Sequence, residues 1–413
     1  MNAHISPTAL RQRAYSTRSS DYFVRVIEDI GKALEPTETQ LTELERSYRS
    51  TGEFLVNCAE FEGLLVEIHP QGSRELGTIT RPSNPERTGF DIDLVARLGK
   101  AAYQKYGQPA SLLRDLFSAL QRYADQHGLR LRRWERCATL EYAGGMCADI
   151  APIIDMPNLF AVHGDLHGWI PDRKLSQYQP TNPRGYTREF NRIASISPVF
   201  TEVRKLVATM DSISEKRAEI KPLSAPGEVF GRLLCRFIQV LKLHRDVAFE
   251  GGTLAPSSVF ITSLAAAAYE RLAPLPHANP LDLLMHIVSD MPRHFSVGPG
   301  WDTDEWRIDN PTAPGDNLAS SMNTSERQQA FGQWHEKLTG DLDELFEAIE
   351  LQLGVDQVIK KLGTSFGSKA SSAVQAAQME RQTSERSASR ASLFTATGMA
   401  LPTVSRPHTF FGD

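Results

Sequence analysis

The spacing of apolar residues predicts helices at the start of the chain and strands from residue 64 onward. An apolar stripe over residues 23–34 predicts a helix that Pro36 ends. Thr37 and Gln40 have the spacing of a capping box, which predicts a second helix toward residue 57. Strands are predicted at 64–69, 90–96, 129–136, 138–142 and 146–154, and a further helix at 109–127. Mixed strands with flanking helices favour an α/β or α+β domain up to about residue 200.

The second half of the chain has a helical pattern instead. Helices are predicted across 230–244, 257–272, 280–290 and 324–353. From Thr364 the sequence is rich in Ser, Ala, Thr and Gln, which predicts a disordered tail. The patterns divide the chain into a flexible N-terminus (1–20), a mixed-sheet core (21–205), a helical domain (206–363) and the tail (364–413).

Composition narrows the class of protein. The chain has 413 residues, 41% of them hydrophobic and 23% charged, as is ordinary for a soluble globular protein of two or three domains. A net charge of −5 argues against a basic surface for binding duplex nucleic acid. The four cysteines form no C-x-x-C pair, and the chain has no signal peptide and no apolar run long enough to span a bilayer. We therefore expect a cytoplasmic protein with reduced thiols.

Candidate chemistry begins at Gly72-Ser73, which follows a predicted strand, and continues at Asp91 and Asp93 in the next one. Carboxylates at i and i+2 of a strand point to the same face and stand about 6–7 Å apart. That span can hold two divalent ions about 3.5–4 Å from each other. A glycine-serine turn can also bring backbone N–H groups close to phosphates. Together these features predict phosphoryl or nucleotidyl transfer.

A third carboxylate usually completes such a metal site. Asp149 is the best candidate, because it interrupts an apolar strand in which an unpaired charge would be costly. Asp155, six residues further on, is the rival for that role.

At this point the motifs resemble a known group of enzymes. Gln71-Gly-Ser73 with Gly77-Thr-Ile79, Asp91-Ile-Asp93-Leu94 and Asp149-Ile-Ala-Pro152 are similar to the DNA polymerase beta-like nucleotidyltransferases. Three further segments resemble the bacterial CD-NTases, relatives of cyclic GMP-AMP synthase and oligoadenylate synthase in antiphage operons. These segments are Thr181-Asn-Pro-Arg-Gly-Tyr186, Leu241-Lys-Leu-His-Arg-Asp246 with Pro256-Ser-Ser258, and Ile308 to Asn317. The resemblance implies an α+β, bilobed fold: a polymerase beta-like core with a mixed sheet, and a C-terminal helical domain.

The resemblance also implies roles for individual residues. The predicted catalytic and metal-binding residues are Asp91, Asp93 and Asp149, and the predicted nucleotide-binding residues are Gln71, Gly72, Ser73, Lys242, Ser257, Ser258 and Asp309. Two Mg²⁺ ions, with Mn²⁺ as a substitute, would be the cofactors. Lys242 has an alternative interpretation as a solvated lysine on an amphipathic helix, and the two serines have one as a helix N-cap. The chain departs from the family pattern at Asn310, which is inserted between Asp309 and Pro311, and at Leu254, where a lysine is usual before the serines.

The implied activity is the condensation of nucleoside triphosphates (ATP, GTP, CTP or UTP) into a cyclic di- or trinucleotide signal in antiphage defence. A linear 2′–5′ oligonucleotide synthase, or a toxin-type transferase acting on RNA or protein, is the alternative. The tail ends in Phe410-Phe411, and we expect it to be either a plain linker or the binding segment for an operon-encoded regulatory partner. No membrane and no sequence-specific nucleic acid is expected as a partner.

Overall fold

The computed structural model describes residues 17–81, 90–142, 145–156, 167–201, 233–250, 252–300 and 303–396. Its main strands are β1 (Leu65–Gln71), β2 (Asp91–Leu98), β3 (Arg130–Arg133), β4 (Ala138–Glu141), β5 (Cys147–Asp155), β6 (Gly168–Asp172) and β7 (Gln177–Thr181), and its short ones are β8 (Val199–Phe200), β9 (Pro276–His277), β10 (Ser296–Gly298) and β11 (Glu305–Arg307). Its helices are α1 (Thr17–Leu34), α2 (Glu38–Val56), α3 (Gly72–Glu75), α4 (Ala102–Lys105), α5 (Pro109–His127), α6 (Pro183–Ala194), α7 (Leu233–Phe249), α8 (Ser258–Leu272), α9 (Pro280–Asp290), α10 (Ser325–Glu350) and α11 (Val355–Ala396). Short 3₁₀ turns lie at Ala59–Phe61, Met291–Arg293 and Ser320–Met322.

The main sheet is mixed, as expected. Within the described residues its strand order is β1-β2-β5-β4-β3, and β6 joins the far end of β5 and pairs with β7. Among the described strands of this sheet, β2 and β5 run parallel and the other pairs are antiparallel. Alternate residues of β2, namely Ile92, Leu94 and Ala96, are buried beneath α2 and α5. The opposite face of β2 therefore carries Asp91 and Asp93 toward the rest of the molecule.

The elements predicted from periodicity are confirmed. The helix predicted at 109–127 is α5, and the strands predicted before and after it correspond to β1 to β5. Thr37 caps α2 in a complete capping box with Gln40. The helices predicted in the second half are α7 to α10, although residues 230–232 lie outside the described part of the chain.

Two large hydrophobic cores organise the described residues, and the helix that precedes the sheet packs into the second of them. The first core lies between the sheet and helices α2 and α5. The second is formed by α7 to α11 and also contains α1, whose Phe23 meets Phe346 edge-on at 4.8 Å between ring centroids. Arg236 of α7 reaches back to pair with Glu28 and Glu35. The N-terminal helix thus packs with the helical domain, although it precedes the sheet in sequence.

The prediction of a disordered tail from residue 364 is wrong for residues 364–396, which continue α11. Phe366, Ala370 and Val374 are buried in the helical core, on the two sides of a kink at Gly367, whose φ of +82° interrupts the helix. A few isolated apolar residues are enough to anchor a helix on a preformed core. Within a Ser- and Ala-rich segment they give no recognisable periodicity, so the sequence did not predict this helix. Residues 1–16 and 397–413, which carry the rest of the predicted flexible ends, lie outside the described residues.

All four cysteines are free thiols; Cys58 and Cys235 are buried, and Cys137 and Cys147 are partly exposed. Among the described helices, none combines the length and the apolar character that crossing a membrane requires.

Candidate active site

Three acidic residues meet on one face of the sheet because of the register between β2 and β5. Asp93 is the direct partner of Asp149 across the parallel pair, and Asp91 precedes Asp93 on the same face. Neighbouring strands lie about 4.8 Å apart, so the carboxylates form one cluster. They line a cleft of about 1120 Å³ between the sheet and the helical core.

The turn between β1 and α3 closes one side of the cluster. Gly72 has a φ of +70°, and a Cβ placed there would lie 1.9 Å from an Oδ2 of Asp93. Glycine is therefore required twice, first by the left-handed backbone and then by the approach of the carboxylate. Gln71 and Ser73, on either side of it, line the cleft as well. The glycine-serine turn thus lies against the acids, where phosphate oxygens and a metal ion would share one space.

Burial and mutual repulsion make the acidic cluster electrostatically demanding. Burial, then the carboxylates of Asp149 and Asp91, raise the pKa of Asp93 to about 7, while Lys242 acts in the opposite direction. Burial also raises the pKa of Asp149, against the hydrogen bond that it accepts from Thr139. A divalent cation would remove this repulsion, and its preferred ligands are oxygen atoms such as these. The donor set fits Mg²⁺.

A short relay of hydrogen bonds orients Asp149. The Thr139 hydroxyl, on the adjacent strand β4, donates to Oδ1 of Asp149. That hydroxyl in turn accepts a hydrogen bond of 2.7 Å from Nε1 of Trp134. Because the indole can only donate, it directs the threonine proton toward the carboxylate. Sequence reasoning missed both residues, since their role depends on the register between β4 and β5.

The helical core supplies the opposite side of the cleft, which carries the buried ammonium group of Lys242. Lys242 of α7 is 3% exposed, and its Nζ donates to the carbonyl of Thr78 at 2.9 Å. Burial, followed by the nearby Arg245, lowers its pKa to about 8. The alternative of a solvated lysine is therefore wrong. Lys242 and Arg245 both line the cleft, so positive charge faces the three acids across the space available to a ligand.

The two serines separate into different roles. Ser257 is the N-cap of α8, and its side chain accepts from the backbone N–H of Phe260, as the alternative interpretation expects. Ser258 lines the cleft, and its hydroxyl accepts a hydrogen bond of 2.9 Å from Nη1 of Arg245. The structure places only the second serine where a nucleotide would contact it.

Asp309 lies outside the cleft. Its side chain is 71% exposed and accepts a hydrogen bond from Arg307 at 2.7 Å. Asn310, the inserted residue, lines the cleft instead, and its amide donates to Asp316 at 2.9 Å. The insertion therefore shifts the inward position by one residue, and the structure gives no support for Asp309 as a nucleotide-binding residue.

Asp155 does not join the acidic cluster. It lies at the other end of β5, where both of its oxygens accept hydrogen bonds from Arg97, at 2.7 and 3.0 Å. A carboxylate held in such a bidentate pair is already neutralised. Of the two candidates for the third acid, only Asp149 lies with Asp91 and Asp93.

Two motifs that are distant in sequence meet at the edge of the cleft. Asn182 caps α6 by accepting from the N–H of Gly185 at 2.8 Å, and its amide nitrogen donates to the carbonyl of Thr312 at 2.8 Å. A Cβ on Gly185 would lie 2.5 Å from Asn182 and 2.7 Å from Thr312. The Asn-Pro-Arg-Gly-Tyr segment is thus the point at which the sheet domain holds the loop of residues 308–317.

Comparison with known proteins agrees with this geometry. Residues 20–193 match the model of the Second Messenger Oligonucleotide or Dinucleotide Synthetase domain. The c-di-GMP synthase of Roseivirga ehrenbergii is 26% identical over 297 residues, which cover 70% of this chain and 70% of that protein. The structure of the Bradyrhizobium diazoefficiens CD-NTase CdnG in complex with GTP has a TM-score of 0.60 and 19% identity, covering 85% of this chain and 97% of that one. The Escherichia coli MS115-1 CdnC:HORMA-deltaN complex gives a TM-score of 0.54 at 14% identity, over 85% and 97% of the two chains.

The mixed sheet with flanking helices and a helical domain is the fold of these solved CD-NTases, which confirms the predicted fold class. More narrowly, residues 20–193 resemble a Second Messenger Oligonucleotide or Dinucleotide Synthetase domain, and the described chain has a fold similar to that of solved CD-NTases.

We expect Gly72→Ala to lower pyrophosphate release at least about 100-fold, because displacing a reacting group by about 1 Å can cost that much. The new Cβ would displace the carboxylate of Asp93. Gly63→Ala is the matched control: its φ is +68°, so it carries the same backbone cost of about 1–2 kcal/mol, but nothing lies within 4 Å of the added Cβ. Equal activity of the two variants would contradict the proposed contact.

We expect Thr139→Val to raise the Mg²⁺ concentration for half-maximal activity roughly tenfold, because residues that orient metal ligands typically affect metal affinity to that extent. Thr139→Ser keeps the hydroxyl and should restore the wild-type Mg²⁺ dependence. The measurement is the rate of pyrophosphate release against Mg²⁺ concentration. A lower rate at unchanged Mg²⁺ dependence would show that Thr139 only supports the fold.

Proposed function

We propose that this protein condenses nucleoside triphosphates into a cyclic di- or trinucleotide, with Mg²⁺ held by Asp91, Asp93 and Asp149. The observation that carries the proposal is the register between β2 and β5, which groups these acids in a cleft opposite Lys242. When bound, Mg²⁺ would lower the pKa of the attacking hydroxyl and neutralise charge on the leaving pyrophosphate.

Other residues of the chain would bind and position the triphosphate. Ser73 and the turn at Gly72 would hold the β- and γ-phosphates, while Lys242 adds a positive charge near the triphosphate. The acceptor's ribose hydroxyl oxygen attacks the α-phosphorus in line. A new P–O bond forms, the bond to the β-phosphate oxygen breaks, and pyrophosphate leaves with that electron pair. The hydroxyl proton passes to solvent.

The size of the cleft supports a reaction between two nucleotides. Pockets for one small ligand typically measure roughly 300–1,000 Å³. This cleft is larger, at about 1120 Å³, and it extends from the acids to Asn310 and Asp316. Gln71, beside the turn, lies where it could contact the acceptor nucleotide. Ring closure would follow when the linear intermediate turns over in the same cleft and its free hydroxyl attacks the remaining triphosphate.

GTP is the first substrate to examine. The Roseivirga relative is a c-di-GMP synthase, and the Bradyrhizobium structure holds GTP. We extend the proposal to a cytoplasmic second messenger in antiphage defence, the role of the CD-NTases that the motifs resemble. Plaque counts of cells that carry the operon with active or inactive enzyme test that role separately from the chemistry.

Incubation with labelled ATP, GTP, CTP and UTP plus Mg²⁺, followed by phosphatase, tests the reaction. We expect a phosphatase-resistant product that Asp91→Asn with Asp93→Asn abolishes. Asp155→Asn is the matched control, since this acid lies on β5 but outside the cleft, and it should leave product formation intact. A phosphatase-sensitive ladder would indicate a linear synthase, and label transferred to RNA or protein would indicate a toxin-type enzyme. Product from the double variant would overturn the metal assignment.

We also propose that residues 397–413 bind an operon-encoded regulatory protein. The segment follows α11, whose Arg381 pairs with Asp29 of α1 at 2.7 Å, so the preceding helix is fixed to the body of the enzyme. Deletion of residues 397–413 leaves that helix intact and should abolish co-purification with the product of the neighbouring gene. Nucleotidyl transfer serves as the control and should persist. Unchanged co-purification would contradict a binding role for the tail.

A further inference from the structure

A second cluster of ligand-type side chains lies at the edge of the helical domain, outside the cleft. His277 of β9, Asp282 of α9 and His286 of α9 place one ligand atom each within 4.8 Å of one another. The Nδ1 atoms of the two histidines are 3.2 Å apart. One carboxylate oxygen of Asp282 is 3.6 Å from Nδ1 of His277, and the other is 3.6 Å from Nδ1 of His286.

The protonation state of His277 is set by the fold. Its Nε2 lies 2.9 Å from the carbonyl oxygen of Leu272, which can only accept a hydrogen bond. Nε2 must therefore carry the proton, and the lone pair of a neutral ring is on Nδ1, directed at Asp282 and His286. A backbone carbonyl that fixes the far nitrogen of an imidazole is the usual support for a metal-binding histidine. The ring itself is 4% exposed, so its position is fixed by packing.

The distance between the two imidazole nitrogens matches that between adjacent ligands of a tetrahedral ion. Zn²⁺ bonds of about 2.0–2.1 Å to nitrogen and oxygen place adjacent ligand atoms about 3.3–3.4 Å apart. The Nδ1–Nδ1 distance of 3.2 Å lies close to that value, and each Nδ1 is 3.6 Å from a different oxygen of the Asp282 carboxylate. We propose that His277 Nδ1, His286 Nδ1 and the Asp282 carboxylate bind a Zn²⁺ ion. The side chain of His286 is 45% exposed, which leaves the fourth position to water.

The surrounding contacts show what such an ion would stabilise. The backbone N–H of Ala278 donates to Asp282 at 3.0 Å, and Asn279 caps α9 by accepting from the N–H of Asp282 at 3.1 Å. The carbonyl of His277 accepts from the N–H of Thr201 at 2.9 Å, next to the β8–β9 pair. An ion at this point would fasten the start of α9 to β9, and through β9 to the segment that follows α6.

The choice of Zn²⁺ over Mg²⁺ follows from the ligands. Two imidazole nitrogens suit a borderline transition metal, whereas Mg²⁺ selects oxygen, as in the acidic cleft. Co²⁺ reports the difference, because a tetrahedral site with imidazole ligands absorbs visible light strongly and an octahedral all-oxygen site absorbs weakly. The visible spectrum of Co²⁺ therefore distinguishes binding at the histidine site from binding at the acidic cleft in the full-length protein.

Metal-stripped full-length protein is titrated with Co²⁺ while the visible spectrum is recorded, and with Zn²⁺ while the melting temperature is measured. We expect one equivalent of tetrahedral Co²⁺ and a rise in melting temperature with Zn²⁺. His286→Gln should raise the Co²⁺ concentration needed for the tetrahedral spectrum, and the Zn²⁺ concentration needed for the rise in melting temperature, at least about tenfold, since it removes a direct ligand. Partly exposed His286 is preferred to buried His277, whose replacement endangers folding.

His294→Gln is the matched control. His294 pairs with Asp290 at 2.6 Å, and these two residues lie four apart in sequence, as His286 and Asp282 do. Among the described residues, no second histidine joins this pair in a metal-type group. It should leave Co²⁺ binding unchanged. A weak octahedral spectrum, or binding that persists in His286→Gln, would overturn the site and assign the 3.2 Å contact to a proton shared between two imidazoles. Asp91→Asn with Asp93→Asn should keep the tetrahedral spectrum, and its loss in that variant would likewise contradict the proposal.

Discussion

The parallel pairing of β2 with β5 places like charges where they repel one another, and much of the structure follows from that cost. Asp93 lies opposite Asp149, and burial together with this neighbour brings the pKa of Asp93 to about 7. A sheet face with such a cluster is unfavourable without positive charge nearby. The helical core provides part of that charge through Lys242, and a divalent ion is the natural complement.

The helical domain therefore does more than cover the sheet. Lys242 is fixed by its hydrogen bond to Thr78, a residue of the loop that follows α3, so the cation and the glycine-serine turn are positioned together. Asn182 joins the opposite edge of the cleft to the loop at Thr312. The N-terminal helix α1 packs into the same helical core as α11 at the other end of the described chain. Both helices therefore contact the core that contains α7, the helix of Lys242.

Local patterns predicted most of the elements and the three acids, because strand alternation and helical stripes act over a few residues. Asp149 was identifiable as a charge inside an apolar strand, whereas Thr139 was not, since its contact depends on the register between strands. The exposure of Asp309 resulted from a one-residue insertion whose direction only the fold reveals. The helix after residue 364 was missed because Phe366 and its neighbours are too sparse to form a recognisable stripe.

The most direct test of the central claim is a crystal structure of the full-length protein with Mn²⁺ and a non-hydrolysable nucleoside triphosphate, using anomalous scattering to locate the metal. We predict manganese peaks between Asp91, Asp93 and Asp149, with the triphosphate extending past Ser73 toward Lys242. Manganese or triphosphate bound elsewhere, with the three carboxylates bare, would contradict the account.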